Sequence, residues 1–139
     1  ICAYARGFNL LEEAGKVYGW DLQMGRIAKI WRSGCIIRAR FLDTVSEIFE
    51  KENGMTNLLA SGYFSQVLYG TRTGWGRIIS LAVERGAAVP ALSSALAYFD
   101  SYRTARGSAN LLQAQRDCFG AHTYERIDKE GAFHTDWMN

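Results

Sequence analysis

Apolar positions recur at helical spacing along nearly the whole chain. Tyr4, Phe8, Leu11 and Tyr18 fall four, three and seven residues apart, the repeat that lines one side of a helix. Gly19 is placed to stop this helix, and Asp21 to cap the next. The second helix should turn Ile27, Ile30 and Trp31 inward and stop near Gly34. A third begins around Ile36, with Ile37, Phe41, Val45 and Ile48 on one face and Asp43, Glu47, Glu50 and Lys51 on a solvated one. Asn53-Gly54 is its expected stop.

A longer helical segment runs from about Gly62 to Arg85, with Phe64, Val67, Leu68, Trp75, Ile78, Ile79 and Ala82 on its buried side. Gly70, Gly74 and Gly76 each cost about 1 kcal/mol against Ala in a helix interior, so a kink or a close helix contact is expected there. Gly86 ends the segment. Pro90, the only proline, suits the first position of a helix that buries Leu92, Leu96 and Phe99. A last helix spans about Asn110 to Phe119. Strand-like alternation never persists, and no G-x-G-x-x-G is present, so this stretch holds no dinucleotide fold. The pattern predicts an all-α, bundle-like domain over 1–123 and an extended tail over 124–139. The tail is polar, carries a Lys-Glu-Gly turn signal and ends on Phe133, His134 and Trp137. Its two large aromatics need a surface to cover them, and a partner subunit would supply one.

Composition narrows the class without fixing it. With 139 residues, 48% hydrophobic and 22% charged, the chain has the size and balance of one folded domain. A net charge of +2 with scattered Arg and Lys argues against nucleic acid. No apolar run reaches bilayer length and no signal peptide is discernible. Ile1 opens the chain inside a helical pattern without a Met, which suggests a piece of something longer. Cys2, Cys35 and Cys118 are odd in number and widely spaced. That pattern fits reduced thiols in a cytoplasmic protein and offers no zinc site.

Candidate chemistry concentrates in ANLLQAQRDCFGAHTYE, from Ala109 to Glu125. Arg116 and His122 stand six residues apart around Gly120. A guanidinium fork and an imidazole near a helix end suit a phosphate or a carboxylate. Equally, Arg116 could be a surface residue and His122 a loop residue bonded to backbone. Cys118 and His122 at i, i+4 could suggest a nucleophile pair or half a metal site, but Gly120 lies between them and no third group is evident. His134 should pack or hydrogen-bond within the tail. Trp20, Trp31 and Trp75 read as core residues. Arg38 and Arg40, with Arg32 before them, form either a local anion site or a solvated helix face. Glu12, Glu13 and Asp100 read as surface carboxylates.

AYARGFNLL, GRIAKIWRSGCIIRARFL, ALAYFDSYRTA and ANLLQAQRDCFGAHTYERIDKEGAFHTDW, in that order, resemble the 6-phosphogluconate dehydrogenase family in its bacterial form. The resemblance covers nearly the whole chain and is most specific from Ala109 to Trp137. It implies the later part of an all-helical C-terminal domain plus a tail that reaches into the partner of a homodimer, with Asn139 at or near the C-terminus. It implies oxidation of 6-phosphogluconate by NADP and decarboxylation to ribulose 5-phosphate, in the pentose phosphate pathway and in gluconate utilisation. The family's catalytic lysine and glutamate and its cofactor-binding glycines lie upstream, so this chain alone should be inactive. The family's RDxFGAH stretch matches Arg116 and His122, which would bind the phosphate end of the partner subunit's substrate. Cys118 stands where the family usually has an aromatic, and Gly107-Ser108 replaces a common Leu-Pro. A stand-alone helical interaction module, or a paralogue acting on another phosphorylated hydroxy acid, is the alternative.

Overall fold

The computed structural model describes residues 1–52 and 54–138. Among these, six α-helices follow in order: α1 Cys2–Tyr18, α2 Met24–Trp31, α3 Leu42–Lys51, α4 Gly62–Glu84, α5 Pro90–Tyr102 and α6 Ala109–Gly120. A short 3-10 helix, Leu58–Ala60, precedes α4, and two strands, β1 Tyr124–Glu125 and β2 Ala132–Phe133, close the chain. The all-α class expected from the pattern is the one observed. The chain divides into two compact units, Ile1–Phe99 and Asp100–Asn139.

In the first unit, α1 stops where expected: Gly19 takes the left-handed conformation, with φ 67°, and its N–H bonds to Gly15 O. Helices α2 and α3 then pack at very short range. A Cβ on Gly25 would lie only 3.2 Å from Ser46 O, so a side chain there would require the neighbouring helix backbone to give by a few tenths of an ångström. The contact is secured by the buried Ser46 hydroxyl, which donates to Gly25 O at 3.0 Å. Rings fill the space around it. Phe8 meets Trp31 and Phe49 with centroids 5.0 and 5.1 Å apart, and Phe41 meets Tyr4 and Phe64 edge-on at 5.1 and 5.7 Å. Phe8, Leu42, Val45, Leu58, Phe64 and Phe99 are among the buried residues of one continuous apolar core.

Two small polar residues organise the entry to α4. Asn57 caps the 3-10 helix by accepting from Leu59 N at 2.9 Å and donates through Nδ2 to Tyr98 OH at 2.9 Å. Ser61 caps α4 by accepting from Phe64 N at 3.3 Å, while its hydroxyl donates to Leu58 O at 2.9 Å.

Several sequence expectations are corrected here. Gln23, without a side-chain cap, stands before α2, rather than Asp21. The third helix starts at Leu42, because residues 35–41 form a turn in which Ile36 is fully exposed and Ile37 44% exposed. Tyr18, Ile30, Val67 and Ile78 lie on exposed faces rather than in the core. Gly70, Gly74 and Gly76 leave α4 one unbroken helix. Of the stop expected after α3, Asn53 lies outside the described residues, and Gly54 has φ 83°. Pro90 opens α5 as expected.

Candidate functional site

The second unit is built around the end of α6. The helix closes with Ala121 in the left-handed region, φ 48°, its N–H bonded to Asp117 O at 2.8 Å. Two residues on, Thr123 is also left-handed, φ 62°. For a β-branched residue such a conformation costs on the order of 1–3 kcal/mol and persists only where surroundings enforce it. His122 sits between these two constrained positions. Its ring folds back over Gly120, where a Cβ would come within 2.6 Å of Nε2. A side chain at 120 would displace the imidazole from this position, while the left-handed turn falls on Ala121 and Thr123.

What enforces the turn is Asp117. Its carboxylate is completely buried and accepts four hydrogen bonds. Oδ1 takes Thr123 N at 3.0 Å and His134 Nδ1 at 2.9 Å, and Oδ2 takes Thr135 N at 3.0 Å and the Trp137 indole N–H at 2.9 Å. Burial alone would push this carboxyl's pKa up, but the bonds from Thr135 N, His134, Trp137 and Thr123 N outweigh burial and hold it far below the ordinary aspartate value. The group is an anion, so His134 donates through Nδ1.

The tail is a small antiparallel hairpin, with Tyr124 opposite Phe133 and Glu125 opposite Ala132. Gly131, at φ 112°, turns it, and Arg126 grips Asp128 through two bonds of 2.8 and 2.6 Å. The half-buried Phe133 ring lies 6.3 Å from Tyr124 and beneath the Arg126 and Lys129 cations at 5.5 and 5.7 Å. Tyr124 OH and Thr135 Oγ1 share a 2.6 Å bond. Phe133 thus finds cover within its own chain, whereas Trp137 remains 42% exposed.

Arg116 and His122 are both exposed, one directly before Asp117 and the other in the turn after the helix. Among the described residues neither enters a hydrogen bond or an ion pair. Asp117, the carboxylate next in sequence to Arg116, gives its oxygens to the tail, so it forms no ion pair with that guanidinium. Cys118 is exposed and free. Arg32, Arg38 and Arg40 line one hollow together with Asp43, and Asp43 pairs with Arg32. Glu12 and Glu13 pair with Lys16. Among the described residues, no group of three His, Cys, Asp or Glu side chains is placed to hold a metal, and no helix is long and apolar enough to cross a membrane.

Asp117 is the residue that sequence reasoning passed over. A carboxylate in the last turn of a helix opposes the helix dipole, and His134 and Trp137 carry N–H groups that need an acceptor. Together these were the available signal.

The chain is thus an all-helical domain whose last helix runs into an Arg-Asp-x-Phe-Gly-Ala-His turn and a hairpin pinned to it. The chain belongs to the 6-phosphogluconate dehydrogenase C-terminal domain family, which matches residues 1–137. It is 55% identical over 138 residues to the NADP(+)-dependent, decarboxylating 6-phosphogluconate dehydrogenase of Bacillus subtilis, covering 99% of this chain and 29% of that protein. It is also 49% identical over 137 residues to the NAD(+)-dependent enzyme of the same organism, again covering 99% and 29%. The 6-phosphogluconate dehydrogenase of Plasmodium falciparum, whose structures include complexes with NADP+ and with 6-phosphogluconate, matches with a TM-score of 0.91. Its identity is 38%, over 98% of this chain and 29% of that one. The chain therefore spans less than a third of the length of these relatives.

Proposed function

We propose that this chain is the C-terminal portion of a cytoplasmic, homodimeric, decarboxylating 6-phosphogluconate dehydrogenase that uses NADP. It supplies dimer contacts and, through Arg116 and His122, grips the phosphate of the substrate bound by the partner subunit. Hydride transfer and decarboxylation belong to residues outside this chain. The observation that carries the proposal is the pair itself: two exposed nitrogen donors, unengaged among the described residues, one in α6 and the other in the turn directly after it. Exposed apolar side chains on the same helix, Leu111, Leu112 and Phe119, fit a face that a partner subunit covers. The choice of NADP rests on the family resemblance and the higher identity to the NADP(+)-dependent relative, and the similarity to an NAD(+)-dependent one makes it a point to test.

The test is NADP reduction by the full-length enzyme carrying this chain, with 6-phosphogluconate as the only added substrate. Turnover is expected, and NAD in place of NADP should support less. Arg116→Ala should raise KM by the equivalent of about 1.5–3 kcal/mol, the range for a hydrogen bond to a charged group, with the melting temperature unchanged. A folded dimer without turnover, or an Arg116→Ala enzyme with normal KM, would sink the proposal.

A further inference from the structure

We propose that Asp117 is a positioning residue: its buried carboxylate fixes the turn that carries His122 and ties the hairpin to it, setting where the imidazole meets the substrate's phosphate. The inference rests on the phosphate-binding role proposed for Arg116 and His122. It goes beyond that role by naming the group that places His122.

The geometry assigns this to Asp117 through Thr123. Thr123 directly follows His122 in the chain, and its left-handed backbone, φ 62°, is bonded through N–H to Asp117 Oδ1 at 3.0 Å. On its other side His122 is confined by Ala121, φ 48°, whose N–H is bonded to Asp117 O. One residue thus holds both neighbours of His122, by its carbonyl and by its carboxylate. The remaining acceptor sites of the carboxylate are taken by His134, Thr135 and Trp137 of the tail. The carboxylate is thereby fixed from two directions. A group held by four donors cannot swing without breaking several bonds, and rigid supporting contacts of this kind hold a ligand-binding side chain in its productive geometry.

Asparagine is nearly isosteric but can accept with only one of its two terminal atoms. In either amide orientation it turns an NH2 group toward two of the four donors. Asp117→Asn in the full-length enzyme is therefore expected to weaken 6-phosphogluconate binding, measured by calorimetry, by roughly tenfold to a hundredfold, the scale of a displaced binding group. The rise should appear in KM, with kcat near wild type at saturating substrate. The decisive readout is the cycle with His122→Ala. If Asp117 acts through His122, Asp117→Asn adds little further loss of binding on that background. Additive losses, or wild-type binding by a folded Asp117→Asn dimer, would overturn the inference. Should Asp117→Asn fail to fold, Trp137→Phe removes one donor and keeps the carboxylate. A severalfold loss of binding that vanishes on the His122→Ala background supports the role, and wild-type binding refutes it. If His122→Ala and Arg116→Ala themselves leave binding unchanged, the phosphate role falls and this inference with it. If they weaken it while Asp117→Asn does not, only this inference falls.

Discussion

The two units of the chain are held together in opposite ways. From Ile1 to Phe99, order comes from a continuous apolar core of helices and rings. From residue 100 to 138, the one buried residue among those described is a carboxylate, Asp117. The first arrangement is non-directional and gains free energy in proportion to the area removed from water. The second is directional, so it specifies geometry at one place and covers little surface. A core makes a platform, whereas a single anion with four donors sets a turn, and the turn carries the proposed phosphate ligand.

The contrast can be broken most severely at Phe8, which is 2% exposed between Trp31 and Phe49. Phe8→Ala should cost about 3–5 kcal/mol, read by urea unfolding. Amide exchange at Thr123 and Thr135 should be spared at denaturant concentrations that melt α1 to α3; simultaneous loss would show the two regions to be one cooperative unit. Acid strikes the other side of the comparison. Because Asp117 has a lowered pKa in the folded chain, its contribution is fully present above the ordinary aspartate value of about 3.9. That contribution is lost as pH falls below that value and through the lowered one. Indole fluorescence of Trp137 in a protein lacking the other tryptophans should stay constant from neutral pH to about 5 and change only in stronger acid. A transition near neutrality would contradict the arrangement.

A finer test uses glycine. Gly25→Ala should destabilise by about 1–3 kcal/mol, since overpacking against Ser46 O outweighs the gain in helix propensity. Gly74→Ala, in an exposed stretch of α4 with open space around it, should instead stabilise by up to about 1 kcal/mol. Equal signs for the two, by thermal unfolding, would mean that the closeness of α2 and α3 has no energetic weight.

Much of the first unit was legible because its signals are local. Gly19, Pro90 and the apolar stripes mark α1, α4 and α5 within a residue or two. The pattern misleads where an apolar residue at helical spacing is read as core: Ile30, Ile37 and Ile78 carry the right hydrophobicity at exposed positions. Periodicity reports what a residue would favour, and only the tertiary arrangement decides whether anything lies against it. In the second unit α6 was found to within a residue. Asp117 was not, because its partners stand six to twenty residues later in the chain, beyond any helical or strand repeat. Gly120 was marked as the turn, yet the positive φ angles belong to Ala121 and Thr123.

One consequence of the shared carboxylate concerns how sequences of this kind can change. Positions 117, 123, 134, 135 and 137 meet at the same two oxygen atoms. A substitution tolerated at one of the side chains depends on what occupies the others. His134 and Trp137 should thus drift as linked characters among descendants of this chain, while the backbone donors at 123 and 135 exclude proline at those two positions.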